Sequence, residues 1–300
     1  MAALRFDVVD VFADRPFAGN PLAVVHGATG LETSQLQALA REFNLSETVF
    51  PLPATGSAGQ AGADYRARIF TPASELPFAG HPSVGVAWVL GRDGVIGLGD
   101  AVQECGAGLL PVTVSASGAR VYGGEPTLGP VLDAAALAAA AGLGPEDVDP
   151  GGPDGRAAAQ PAGAGLEWTF LAVRADAVAR ATLPTSADLA GRAEGTGLAI
   201  VAFDPGERRA HVRTFAPAQG VPEDPATGSA AVALGVWLVS RGLLPADGVS
   251  EVTIAQGAEM GRPSRLDLRV EASGGRTVRT SVGGDVVPVS TGTIAIPPLP

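Results

Sequence analysis

The chain has 300 residues, 46% of them hydrophobic, which is enough for a substantial core and more than a single domain of roughly 100 to 200 residues usually holds. Thirty-one acidic against 20 basic residues leave a net charge of −11, which repels phosphate backbones and anionic lipid and argues against nucleic acid or a membrane surface as partner. Every basic residue is Arg, so the absence of Lys excludes both a pyridoxal-phosphate Schiff base and a phosphate-binding P-loop.

Met1 to Asp10 alternates apolar and polar residues, with no basic segment leading into an apolar run, and so predicts a strand rather than an export signal. Strands are expected at Phe6 to Phe12 and Leu22 to Val25, on either side of a turn-rich stretch from Asp14 to Pro21. Leu36, Leu39, Ala40 and Phe43 then recur at helical spacing, which predicts a helix capped by Thr33 or Ser34 and ending at Asn44. Thr48 to Leu52 reads as the next strand. Ser46 and Glu47 therefore sit at a helix-to-strand junction, where rigid elements can hold a side chain at the edge of a cleft. A solvated Glu just past a helix is the ordinary alternative.

Cys105 is alone, which excludes an intramolecular disulfide and a Cys-rich zinc site and fits a reducing cytoplasm. From Tyr122 to Glu167 the chain is rich in Ala, Gly and Pro. A domain crossing is expected near the start of this stretch, dividing 1–125 from 126–300, with the last strand pairing back onto the first lobe. Within it, Asp133 to Ala141 predicts a helix ended by Gly142, and the residues after Pro145, including Pro150 to Gly155, predict a loop. The apolar run Ala134 to Ala141 falls far short of the roughly 20 residues a membrane span needs. Strands return at Trp168 to Val173 and Leu198 to Phe203.

An internal echo organises the whole. Arg68-Ile69-Phe70-Thr71-Pro72-Ala73 is matched by Arg213-Thr214-Phe215-Ala216-Pro217-Ala218, and each is followed by a Pro-containing loop, a glycine and an apolar helix. The first helix starts near Gly80 and reaches Trp88; the second starts near Gly228 and reaches Trp237. Two lobes of similar build follow. A helix start exposes backbone N–H groups and the positive end of the dipole, so Gly80 and Gly228 are candidate seats for a small carboxylate, or simply tight turns. His81 can donate or accept a proton near neutral pH, or serve only the helix start. Asp224 and Ser229 flank the second helix start, where turn and cap roles are the plain alternatives. Ser229 lacks the G-x-S-x-G elbow of a serine hydrolase. His26 and His211, with no nearby acidic or glycine-rich motif, read as structural.

At Gly19-Asn20-Pro21, Asn44-Leu45-Ser46-Glu47, Leu76-Pro77-Phe78-Ala79-Gly80-His81-Pro82, Glu223-Asp224-Pro225-Ala226-Thr227-Gly228-Ser229-Ala230 and Gln256-Gly257-Ala258-Glu259-Met260-Gly261-Arg262-Pro263-Ser264, the sequence resembles the PhzF family of phenazine biosynthesis. The resemblance spans nearly the whole chain. It implies an α+β fold of two similar lobes, each a curved, mostly antiparallel sheet wrapped around a central helix as in diaminopimelate epimerase, with the active site between them. It further implies Glu47 as general acid/base, with His81, Asp224 and Ser229 around the substrate and backbone at Gly80 and Gly228 lining the same cleft. No cofactor, a small carboxylate resembling dihydro-3-hydroxyanthranilate and a homodimer are implied as well. One carboxylate alternating between base and acid is chemically sufficient for such a proton shift. Related racemases oppose two thiols; the positions before Gly80 and Gly228 hold Ala79 and Thr227 instead. A racemase using other bases and a non-catalytic carboxylate-binding protein remain the alternatives.

Overall fold

Two 13-residue helices, Gly80–Arg92 and Gly228–Ser240, dominate the packing. Neither has a polar face, since every residue from Gly80 to Leu90 and from Ala230 to Val239 is buried. A helix apolar all round has to be enclosed, and in each half of the chain a curved sheet does this. The computed structural model describes residues 3–55, 62–150 and 158–299. The chain falls into two units, Met1–Val121 with Gly283–Pro300, and Tyr122–Val282. The loop expected at Gly151 to Gly155 lies outside the described residues.

The first unit runs β1 (Ala3–Val11), β2 (Asn20–Val25), α1 (Thr33–Phe43), β3 (Glu47–Leu52), β4 (Tyr65–Phe70), β5 (Glu75–Leu76), α2 (Gly80–Arg92), β6 (Gly99–Cys105), β7 (Gly108–Val114) and β8 (Gly118–Tyr122). β1 is antiparallel to β2 on one edge and to residues 286–295 on the other. β2 and β3 are parallel across α1; β3 with β4 and β4 with β5 are antiparallel, β4 with β6 parallel, and β6, β7 and β8 antiparallel. Leu22 meets α2 where Gly85 permits close approach, because a Cβ on Gly85 would strike the Leu22 and Val11 side chains. Val25, three residues further along β2, faces the other way and packs with Leu36, Leu39 and Ala40 of α1. The cap of α1 differs from expectation. Glu32 is the residue at the cap, its N–H donating to Gln35 Oε1 at 3.0 Å, while the Thr33 hydroxyl accepts from Arg68 at 2.9 Å. The helix ends at Asn44 in the left-handed region.

The second unit runs β9 (Pro126–Leu128), α3 (Ala134–Ala140), β10 (Ala159–Ala164), β11 (Leu166–Ala172), α4 (Ala175–Val178), α5 (Ser186–Leu189), β12 (Leu198–Asp204), β13 (Arg209–Ala216), β14 (Val221–Asp224), α6 (Gly228–Ser240), β15 (Gly248–Gln256), β16 (Ser264–Ser273) and the start of β17 (Arg276–Ala295), whose residues from Gly283 on belong to the first unit. Where a loop was expected after Pro145, Pro145–Asp147 forms one tight helical turn. Asp133 caps α3, accepting from the N–H groups of Ala135 and Ala136. β16 shows how the pattern is written: Leu266, Leu268, Val270 and Ala272 face inward while Arg265, Arg269 and Glu271 face out. Gly235 brings α6 against Val270 and Leu268.

The echo in sequence is an echo in connectivity. β11 and β12 are parallel across α4 and α5, β12 with β13 and β13 with β14 antiparallel, β13 with β15 parallel, and β15 with β16 antiparallel. This is the order of pairings from β2 to β7. The side-chain braces repeat too. Arg68 forks onto Glu75 at 2.7 and 2.7 Å and lies over Phe70; Arg213 forks onto Glu223 at 2.8 and 2.9 Å and lies over Phe215. At the far ends of the central helices, Arg92 covers Trp88 and Arg241 covers Trp237, each four residues on.

The two forks differ in burial, and this sets their worth. The side chains of Arg213 and Glu223 are 7% and 9% exposed, against 16% and 37% for Arg68 and Glu75. Arg213 also donates to the carbonyls of Val178 and Ala181. Arg213→Met should therefore destabilise by about 3–5 kcal/mol through the stranded Glu223 charge, and Arg68→Met by no more than about 1 kcal/mol. Urea unfolding of the two variants checks the order.

Candidate active site

Glu47 is the first residue of β3, directly after the turn that ends α1, and its partner in the parallel register is Leu22. His81 is the second residue of α2. The segment Gly19-Asn20-Pro21 sets the distance between them. Gly19 has φ +64°, and a Cβ there would run into the Val11 carbonyl, so a side chain is excluded twice over. Asn20 is wholly buried. The backbone of Pro21 hydrogen-bonds the His81 ring. Proline has no N–H, so its carbonyl is the acceptor and the ring the donor. Nε2 of His81 has no hydrogen-bond partner, which leaves Nδ1 as the donating nitrogen. Pro21 thus holds His81 while its neighbour Leu22 sets the register of Glu47.

The result is a contact of 3.4 Å between His81 Nε2 and Glu47 Oε2, with the two side chains 6% and 15% exposed. Only a protonated ring would make this an ion pair. Burial lowers the pKa of His81 to about 3, against a smaller opposing pull from the Pro21 bond, so near neutral pH the ring is neutral. Its Nε2 then carries a lone pair 3.4 Å from Oε2, a close contact whose angle is not that of a hydrogen bond. Glu47 is not the solvated residue of the ordinary alternative: its Oε2 is buried.

In the second unit Asp224 ends β14 and Ser229 is the second residue of α6. Ser229 does not cap the helix; Thr227 holds the cap position, and the Ser229 hydroxyl accepts from Trp168 Nε1 at 3.1 Å. Asp224 is tied into a buried cluster. Its Oδ2 accepts from the Thr227 hydroxyl at 2.6 Å, and its carbonyl accepts from Gln256 Nε2 at 2.7 Å. Thr214 and Thr227 hydroxyls are 2.5 Å apart, and Gln256 Nε2 is 2.6 Å from Thr214 Oγ1.

In neither central helix does the side chain of the cap residue, Ala79 or Thr227, bond to the first-turn N–H groups. Ala79 and Thr227 occupy the two equivalent cap positions, and neither carries a thiol. Cys105 lies buried at the end of β6, its thiol pKa raised chiefly by burial.

Sequence reasoning passed over Gln256 and Thr214, which reach Asp224 from separate strands, and the Trp168 bond to Ser229. It also read His211 as remote from acidic groups. β13 and β15 pair in parallel with His211 opposite Ala255, and the turn after β15 brings Glu259 Oε1 to 2.9 Å from His211 Nε2. The other isolated histidine, His26, sits 2.8 Å from Asp7. Among the described residues Asp7, His26 and Asp93 lie close enough to suggest a metal, but Arg5 and Arg92 already pair with both carboxylates.

A family model for phenazine biosynthesis-like protein, PhzC-PhzF, matches residues 9–292. The chain belongs to this family. It is 38% identical to an uncharacterised isomerase of Mesorhizobium japonicum, over 99% of this chain and all of that one. It is 34% identical to trans-2,3-dihydro-3-hydroxyanthranilate isomerase of Pseudomonas aeruginosa, over 94% and 95% of the two chains. A crystal structure of a Bacillus anthracis phenazine biosynthesis protein of the PhzF family superposes with a TM-score of 0.81 at 22% identity, covering 99% of this chain and all of that one. A probable proline racemase from Agrobacterium radiobacter shares the fold, with a TM-score of 0.61 at 14% identity over 98% and 94% of the chains. The PhzF-family chain described here is an isomerase with an epimerase-like α+β fold.

The depressed pKa of His81 has a stability consequence. The unfolded ring takes a proton below about 6.5, whereas the folded ring stays neutral down to about 3. Its contribution is complete above pH 6.5 and is lost as pH falls through that window, at ~1.4 kcal/mol per unit. Denaturant titrations between pH 4 and 7 should show a shallower pH slope for His81→Asn than for the parent, whatever the offset in absolute stability.

Proposed function

We propose that this isomerase moves a proton between two carbons of a small carboxylate of the dihydro-3-hydroxyanthranilate type, and that Glu47 alone takes the proton and gives it back. The contact that carries this reading is the buried pair of Glu47 and neutral His81 at 3.4 Å. Ionised Glu47 abstracts hydrogen from one carbon, and the electron pair left behind spreads into the adjoining unsaturation. Protonated Glu47 then delivers the same hydrogen to the other carbon, and the carboxylate is restored. Through both steps the Pro21 bond holds the neutral His81 ring beside Glu47, with Nε2 3.4 Å from Oε2. Acid/base assistance of this kind is worth about 10²- to 10⁴-fold in rate.

Asp224 and Ser229 are proposed as further groups touching the substrate, and the helix-start N–H groups at Gly80 and Gly228 as the seat of its carboxylate. The activity named for the Pseudomonas aeruginosa relative supports this substrate class.

Incubation with trans-2,3-dihydro-3-hydroxyanthranilate in deuterated water, followed by NMR, tests the scheme. The parent should move hydrogen within the ring, and Glu47→Gln should lower that rate by at least about 10²-fold while keeping its circular dichroism spectrum. Turnover by Glu47→Gln at the parent rate would falsify the assignment.

A further inference from the structure

Asp224 and three side chains around it form a hydrogen-bond chain whose direction can be worked out proton by proton. All four belong to the second unit: Asp224 from β14, Thr227 at the start of α6, Thr214 from β13 and Gln256 from the end of β15. Gln256 is 2% exposed, Thr214 not at all and Thr227 7%, so water does not supply the missing partners.

An ionised Asp224 can only accept, so the proton in the 2.6 Å contact with Oδ2 belongs to Thr227. That hydroxyl has only one proton, and the 2.5 Å contact between the two threonines must therefore be filled by Thr214 donating to Thr227. Thr214, its own proton committed, accepts from Gln256 Nε2 at 2.6 Å. The second Nε2 proton goes to the Asp224 carbonyl at 2.7 Å, and Gln256 Oε1 accepts from the Thr227 N–H at 3.3 Å, which fixes the amide the right way round. Each of these contacts then has one proton, and the approach of Gln256 Nε2 to Thr227 Oγ1, at 3.0 Å, is the longest of the three it makes and is left without one. The reversed chain, starting from an Asp224 that carries a proton on Oδ2, leaves the Thr214 proton with only the Asp224 carbonyl at 3.5 Å. That is the limit of a hydrogen bond.

We infer that Thr227, backed by Thr214 and Gln256, is a positioning residue that holds Asp224 as an oriented carboxylate and keeps it from acting as an acid. Hydrogen bonding to the charged form favours that form, and bonds in series polarise one another. The role of Asp224 toward substrate rests on the function proposed above; the state of its carboxyl does not.

Thr227→Val, Thr227→Ser and Thr214→Val, each labelled with ¹³C-aspartate, separate the possibilities. In Thr227→Val the Asp224 carboxyl resonance should titrate at higher pH than in the parent, and in Thr227→Ser at the parent value. Thr214→Val, which removes the donor behind Thr227 and leaves Thr227 in place, should give a smaller upward move. Under turnover, Thr227→Val should lose about tenfold in kcat, the worth of one hydrogen bond to a charged group, with KM within about twofold and the acid limb of the rate profile shifted upward. Thermal melts confirm that each variant is folded. A titration unmoved in folded Thr227→Val overturns the inference, and if that variant does not fold, an unmoved Thr214→Val does so. The titration needs no turnover. A Glu47→Gln enzyme that still works alongside a shifted Asp224 therefore sinks the proposed function and spares this inference, and the opposite pair of results does the reverse.

Discussion

Burial of a helix with no polar face is the constraint from which the rest of each unit follows. α2 and α6 can be hidden only if strands curve around them, and glycines such as Gly85 and Gly235 let the helix surface come close enough for the strands to do so. Each unit puts further helices over other residues of its sheet, α1 over Val25, Phe50 and Phe70 in the first, and α3, α4 and α5 over Leu171, Ile200 and Phe215 in the second. Once the helix is enclosed, the end where it begins is the place where polar groups can collect. Its first backbone N–H groups need partners and the strand leading into it ends there.

The groups that collect there are treated differently in the two units. In the first, a neutral imidazole is fixed by a proline carbonyl and left with a lone pair beside a buried carboxyl group. In the second, a carboxyl group accepts from a threonine hydroxyl that a second threonine and an amide back in series. A similar helix start therefore holds a neutral imidazole beside a carboxyl group in one case and a carboxyl group tied to a threonine hydroxyl in the other. The difference comes from side chains on neighbouring strands, since the connectivity is the same.

Much of this was legible in the residues. The alternation in β1, the spacing in α1 and the doubled Arg-x-Phe followed by a glycine-led helix all state structure directly, because periodicity and repetition survive any arrangement in space. Glu47 and His81 could be singled out by position, yet the reason they meet is the Pro21 carbonyl, and nothing in the letters Gly-Asn-Pro says that a histidine 60 residues on will bond to it. Gln256, Thr214 and the Glu259 partner of His211 were passed over for the same reason. They arrive through the parallel pairing of β13 with β15, a contact between segments with a whole helix between them. The cap of α1 was misplaced by one residue because Thr33 looks like a cap until Arg68, from a distant strand, takes its hydroxyl.

The two units also differ in how they are threaded. Tyr122–Val282 is one continuous stretch, whereas the first unit takes its closing strand from residues 286–295, which pair with β1 nearly the full length of the chain away. On the ribosome the second unit has all its strands in hand before the first does. β1 must wait with an unpaired edge through most of synthesis, a long-range closure that is slow and leaves sticky backbone exposed. The half whose synthesis begins first is thus the half whose closing strand is made last.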